Sequence, residues 1–68
     1  MTRYRIELID KSQKPGGSGV TNREVCNLSS DGEAIQRAKE FYRSHESETI
    51  GYRVINDATG KIIDQWMR

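Results

Sequence analysis

A single stretch of this chain, residues 29 to 45, repeats its apolar side chains at the period of an α-helix. The apolar positions are Ala34, Ile35, Ala38, Phe41 and Tyr42. Because charged and amide side chains occupy the other positions, the pattern predicts an amphipathic helix over residues 30 to 45 that needs a second layer against its apolar face. Ser30 is placed to cap the first turn, and Glu33 is placed to reach back to the backbone N–H of Ser30.

The segments before this helix alternate between apolar and polar residues, which is typical of half-buried strands. Residues 3 to 10 place Tyr4, Ile6 and Leu8 on one face. Residues 20 to 28 resume the alternation. We assign the second strand's Cys26 and Leu28 to the face under the helix, because they lead directly into it.

The two strands are separated by residues 11 to 19, which hold the only proline and three of the six glycines. This composition predicts a hairpin loop. A phosphate-binding loop is the alternative, but such a loop needs Lys-Ser/Thr and a helix directly after its last glycine, and Val20-Thr21-Asn22 follow here.

Residues 50 to 68 read as a second hairpin that turns at residues 57 to 61, with Gly60 at the left-handed position. Pairing Asp57 with Lys61 sets a register in which Ile55 lies opposite Ile63. Further along, the same register places Val54 opposite Asp64 and Tyr52 opposite Trp66. The larger side chains are predicted to face the helix: Tyr52, Val54, Ile62 and Trp66.

Two hairpins joined by one helix predict a single α+β domain over residues 1–68, a two-layer ββαββ sandwich with one helix on a four-stranded, mainly antiparallel sheet. With 68 residues, only one small core is possible. Its predicted members on the sheet are Tyr4, Ile6, Leu8, Cys26, Leu28, Tyr52, Val54, Ile62 and Trp66.

The face of the sheet away from the helix combines two kinds of side chain. By the same alternation, its predicted arginines are Arg3, Arg5, Arg23 and Arg53, with Glu7 as the one clear acid. Its predicted β-branched residues are Ile9, Val25, Ile55 and Ile63. Four adjoining apolar side chains on an exposed sheet would form a patch that points to a partner.

The composition of the chain argues against several classes of function. The formal net charge of +1 gives no strong overall field toward nucleic acid or acidic lipid. One cysteine and one histidine provide neither an intramolecular disulfide nor a zinc site, so we expect no metal and no cofactor. No apolar run is long enough for a signal peptide or a membrane span, and we expect a soluble cytoplasmic protein that does not bind membranes.

Two residues with reactive side chains have simpler structural interpretations. Cys26 in a strand interior lacks the helix N-terminus or basic neighbour that would lower its pKa, so it is predicted to be a small buried apolar residue. His45 continues the apolar stripe at the last helical turn, and no nucleophile or orienting acid accompanies it. We therefore predict no catalytic residues.

Three stretches of the chain resemble small uncharacterised bacterial proteins built from the same strand, capped helix and terminal hairpin. They are Arg3-Tyr4-Arg5-Ile6, Ser30-Asp31-Gly32-Glu33-Ala34-Ile35 and Tyr52-Arg53-Val54-Ile55-Asn56-Asp57-Ala58-Thr59-Gly60-Lys61. The resemblance implies a bacterial, cytoplasmic ββαββ domain. Because these proteins have no established activity, it implies no site residues.

Three hypotheses for function follow. The first is a non-catalytic protein-interaction module, most simply a homodimer formed through the open sheet face or an unpaired edge strand. The second is nucleic-acid binding through the four arginines, against which stands the lack of exposed aromatic side chains on that face. The third is an enzyme, for which the sequence offers no catalytic grouping.

Overall fold

The computed structural model of the protein describes residues 1–11 and 19–68, and of Thr21 the backbone alone. Its elements follow the predicted order ββαββ. The strands and the helix are β1 (Thr2–Asp10), β2 (Val20–Leu28), α1 (Asp31–Ser44), β3 (Thr49–Asn56) and β4 (Ile62–Met67). The α+β prediction is confirmed, while the loop predicted over residues 11 to 19 lies largely outside the described residues.

The four strands form one antiparallel sheet in the order β2-β1-β3-β4. The two hairpins account for the outer pairs, and β1 joins them by pairing with β3, so that Ile6 lies opposite Val54 and Glu7 opposite Arg53. As a result, β1 and β3 are central, and β2 and β4 form the two edges.

The helix begins as its capping residues predict. Ser30 has extended backbone angles, and its side-chain oxygen accepts a hydrogen bond from the backbone N–H of Glu33 at 3.2 Å. The predicted return contact differs, because the Glu33 carboxylate bonds the hydroxyl and the backbone N–H of Ser29, at 2.6 and 3.4 Å, rather than the N–H of Ser30. At the other end, the N–H of His45 donates to the carbonyl of Tyr42.

The core lies between α1 and one face of the sheet, and the helix packs on β3, β1 and β2. Its buried members are Tyr4, Ile6, Leu8, Ala34, Ala38, Tyr52 and Val54. Cys26, Leu28, Ile35, Phe41 and Tyr42 pack against them, half-buried. Alternation along β1 and β3 therefore predicted the covered face correctly.

The β3–β4 turn departs from the prediction. Asn56 Oδ1 accepts hydrogen bonds from the N–H groups of Ala58 and Thr59, so the chain turns one residue earlier than expected. The backbone N–H of Asn56 bonds the carbonyl of Lys61 at 2.8 Å, which leaves residues 57 to 60 as the loop. Gly60 has φ of 78°, the predicted left-handed conformation.

A bulge in β4 then corrects the register. Ile55 pairs with Ile62 rather than Ile63, while Val54 still pairs with Asp64 and Tyr52 with Trp66. Because Ile63 is the extra residue, it packs against the core, and Ile62 shares the open face with Ile55. The predicted faces of Ile62 and Ile63 were therefore both wrong.

Candidate interaction site

The open face of the sheet, the face away from α1, is organised around Glu7. Its side chain is only 8% exposed, and its carboxylate oxygens lie 3.4 Å from Arg5 Nε, 3.2 Å from Arg23 Nε and 3.4 Å from Arg53 Nε. Of these three contacts, the one from Arg23 has hydrogen-bond geometry. Among the described residues, the buried Nε atoms of Arg5 and Arg53 have no hydrogen-bond partner.

A second carboxylate, Asp57, holds the arginines at the other end of this face. It lies 3.0 Å from Arg3 Nε and 3.2 Å from Arg5 Nη1. The structure thus brings all four predicted arginines onto one surface, but it pairs each of them with Glu7, with Asp57 or, for Arg5, with both. The six side chains carry a formal charge of +2, which lowers the attraction of this face for a polyanion.

The predicted apolar patch on the same face is absent as an exposed surface. Ile9 and Ile55 are each only 4% exposed, so this chain itself covers them. The cross-strand neighbours of Ile55 are Arg5 and Ile62, and the stems of long side chains cover apolar neighbours in this way. Of Ile9, Val25, Ile55 and Ile63, only Val25 is an exposed apolar residue of the open face.

Exposed apolar surface lies instead on the edge strand β4. The described residues include five exposed large apolar side chains, and three of them belong to β4: Ile62 (49% exposed), Trp66 (44%) and Met67 (43%). Ile62 and Met67 lie on the open face, and Trp66 lies on the helix side. Both sides of this strand therefore present apolar surface to solvent.

The outer edge of β4 also offers backbone hydrogen-bonding groups. The N–H of Arg68 donates to the carbonyl of Ile50, which shows that residue 68 faces β3. Backbone groups alternate in direction along an antiparallel strand. The N–H and C=O groups of Trp66 therefore also point toward β3, while those of Gln65 and Met67 point outward. An added strand could therefore bond to Gln65 and Met67 without disturbing the sheet.

An aromatic groove lies between α1 and β4 on the helix side. The Trp66 ring is 5.2 Å from the Tyr42 ring in an edge-on arrangement and 6.1 Å from the Tyr52 ring in a stacked one. The groove has a volume of about 240 Å³, and Lys39, Arg43 and Glu46 complete its lining. One wall of this groove is the same strand whose outer edge is unpaired.

Two charged residues of opposite sign flank Trp66 on the helix side of this edge. Asp64 is half-buried and makes no salt bridge with a described residue. Burial raises the pKa of Tyr52, and the negative charge of Asp64 and a hydrogen bond to its carboxylate raise it further. Arg68 is held in place, because its Nη2 donates to the Tyr42 hydroxyl and to the carbonyls of Glu46 and Thr49. The carboxylate of Asp64 thus lies at the edge without a cationic partner in the described part of the chain.

The other edge strand, β2, is protected against strand addition. Four polar or charged residues follow one another over residues 21 to 24 of this strand, and Glu24 is fixed by a two-pronged hydrogen bond from Arg37, at 3.2 and 2.6 Å. Charged side chains on an edge discourage pairing with another chain. The contrast with β4, where Asp64 is the one charge between Ile62 and Met67, makes β4 the candidate interaction site.

Cys26 and His45 have structural roles. Burial raises the pKa of the Cys26 thiol, which disfavours the reactive thiolate. His45 ends α1, packs edge-on against Phe41 with ring centroids 5.2 Å apart, and places Nδ1 3.1 Å from the Phe41 carbonyl oxygen. Within residues 1–11 and 19–68, no group of three or more potential metal ligands comes together.

Sequence reasoning missed Ile62, Trp66 and Met67 as site residues. It assigned Ile62 and Trp66 to the core by alternation, which tells which face a side chain occupies but not whether the helix reaches that strand. A signal was present in the sequence, since Asn56 before the turn favours an early start and hence a shifted register.

No protein-family model, curated protein or solved structure matches the chain. In the described part of the chain, no helix is both long enough and apolar enough to cross a membrane. The interpretation of function therefore depends on the geometry of the sheet.

Proposed function

We propose that this chain is a non-catalytic protein-interaction module that binds an extended segment by strand addition along β4. The observation that carries the proposal is the concentration of exposed apolar side chains on this edge strand: Ile62, Trp66 and Met67. Main-chain bonds to Gln65 and Met67 would supply affinity, and the groove beside Trp66 would select the side chains of the bound segment.

Nucleic-acid binding through Arg3, Arg5, Arg23 and Arg53 is the weaker proposal. The arginines share a face, but Glu7 and Asp57 already neutralise half of their charge. The exposed Trp66 lies on the opposite side of the sheet, so these arginines have no aromatic stacking surface beside them.

The test begins by selecting short random peptides, displayed on phage, for binding to the immobilised natural chain. The selected peptides are then tested for binding to the Gln65→Pro variant. Proline removes the outward N–H of residue 65 and is tolerated best on edge strands, so the variant is expected to fold and to lose the selected peptides. Gln65→Ala keeps the N–H and is the matched control, with circular dichroism to verify folding.

A second variant, Met67→Lys, leaves the backbone unchanged and places a charge on the edge, which should also abolish binding. Enriched peptides that bind Gln65→Pro as strongly as the natural chain would contact a different surface. The protein is immobilised sparsely as a monomer, so that no second copy competes for the edge. Failure to enrich any peptide on the natural chain under this condition would contradict the proposal.

A further inference from the structure

We propose that the segment bound by β4 is the β4 strand of a second copy of this chain, in an antiparallel register centred on Trp66. This inference rests on the proposed function, because it names the partner at the same edge. Three independent properties of the strand share this centre: its outward backbone groups, its oppositely charged residues Asp64 and Arg68, and its exposed aromatic ring.

The backbone groups are arranged symmetrically around Trp66. Gln65 and Met67 point outward on either side of it, so a two-fold axis through the centre pairs Gln65 of one copy with Met67 of the other, twice. The backbone N–H and C=O groups of Trp66 point toward β3. Trp66 therefore forms a pair with Trp66 of the second copy that has no backbone hydrogen bonds, the kind of pair in which opposite side chains approach most closely.

The charges are complementary in this register. Asp64 and Arg68 lie two residues before and two residues after Trp66, on the same side of the strand. The two-fold axis therefore places Asp64 of each copy opposite Arg68 of the other. The Asp64 carboxylate gains the cation that it lacks among the described residues, and Arg68 is already held at the edge by Tyr42, Glu46 and Thr49.

The alternative symmetric registers fit less well. Centring on Asp64 would place two carboxylates opposite each other, which is destabilising in a sheet. Centring on Gln65 would place Asp64 opposite Trp66 and leave the carboxylate without a cation. The register centred on Trp66 avoids both defects.

The resulting dimer is an eight-stranded antiparallel sheet. A two-fold axis perpendicular to the sheet keeps both α1 helices on one side. It also buries the exposed indole of Trp66 against its copy between the two aromatic grooves, so each groove is completed by the partner copy.

The first test measures dimerisation by sedimentation equilibrium over a concentration series. The natural chain is expected to dimerise. Asp64→Arg and Arg68→Asp each place like charges opposite one another at two symmetric positions, so each should raise the dissociation constant about tenfold. The double variant restores opposite charges and should recover most of the affinity. Two weakened single variants with no recovery in the double variant would overturn the charge pairing.

The second test checks the register by disulfide formation, in a Cys26→Ala background oxidised with glutathione disulfide. Trp66→Cys should give a covalent dimer, because Cα atoms in a narrow antiparallel pair are about 4.5 Å apart, within reach of a disulfide. Gln65→Cys, which lies two positions from its own copy, should remain monomeric under the same conditions. A covalent dimer from Gln65→Cys and none from Trp66→Cys would overturn the register.

The outcomes separate this inference from the proposed function. A natural chain that stays monomeric, together with a Trp66→Cys variant that gives no covalent dimer, would overturn the homodimer. If such a monomer still selects peptides that depend on the N–H of Gln65, strand addition stands with a different partner. A chain that neither dimerises nor selects such peptides would reject both proposals.

Discussion

At the scale of single residues, Glu7 decides the character of the open sheet face. Its carboxylate lies within 3.4 Å of three arginine Nε atoms, and its side chain is almost completely buried. Without this acid, Arg5, Arg23 and Arg53 would lie on adjacent strands, and among the described residues only Arg5 would keep a paired carboxylate, that of Asp57. The face is therefore a structural ion network with limited free charge.

We expect Glu7→Gln to lower the free energy of unfolding by about 2 kcal/mol, since it removes the shared counter-charge of three partly exposed arginines. Urea denaturation measures the loss. High salt should reduce the deficit by screening the repulsion between the arginines. Glu48→Gln, which removes an exposed carboxylate from the link after α1, is the matched control. A deficit below about 0.5 kcal/mol, the range of ordinary surface substitutions, would contradict the role of Glu7.

At the scale of elements, α1 packs mainly on β3, and side-chain contacts also join it to each of the other three strands. The Tyr4 hydroxyl of β1 donates to Asp31 at 2.6 Å, and this hydrogen bond raises the pKa of Tyr4. Arg37 holds Glu24 of β2, and Tyr42 packs against Trp66 of β4. The start of the helix depends on Ser30, whose hydroxyl satisfies a backbone donor that has no partner within the helix.

Ser30→Ala should therefore reduce the free energy of unfolding by about 1 kcal/mol, a typical value for loss of an N-terminal cap. Ser44→Ala is the matched control, because Ser44 bonds a carbonyl of the helix itself and alanine favours helical structure. Thermal denaturation followed by circular dichroism compares the two variants. Equal midpoints would show that the cap contributes nothing to stability.

At the scale of the whole molecule, the ion pair between Arg37 and Glu24 connects the helix to one edge of the sheet. The hydrogen bond from Arg37 lowers the pKa of Glu24 from its ordinary value of 4.5. A carboxyl with a lowered pKa binds fewer protons in the folded than in the unfolded state. The contribution of Glu24 to the free energy of unfolding is therefore fully present at pH values above its ordinary pKa, and it is lost as the pH falls through the lower pKa of the folded state.

Stability should accordingly fall between neutral pH and about pH 3, and Glu24→Gln should remove part of that fall, about 0.5 to 1 kcal/mol for a partly exposed pair. Urea denaturation at the two pH values measures the difference. Glu48→Gln is again the control and should leave the fall unchanged. A Glu24→Gln protein with the same pH dependence as the natural chain would show that this pair does not couple folding to pH.

The fold of this protein follows from local patterns in its sequence. The helical period of Ala34, Ile35, Ala38, Phe41 and Tyr42 and the alternation along β1 predicted the two layers and most of the core. Ser30 was predicted as the cap, and Gly60 as the left-handed turn residue. These features are local, because each depends on residues within a few positions of one another.

The candidate site could not be predicted in the same way, because tertiary structure decided it. The side-chain bonds of Asn56 moved the turn, and the bulge at Ile63 exchanged the faces of Ile62 and Ile63. The helix lies over β3, β1 and β2, so Trp66 on β4 stays half exposed. On the other face, Ile55 is buried beside its cross-strand neighbour Arg5. Alternation along a strand determines which side chains share a face, but their exposure depends on what the rest of the chain places above them.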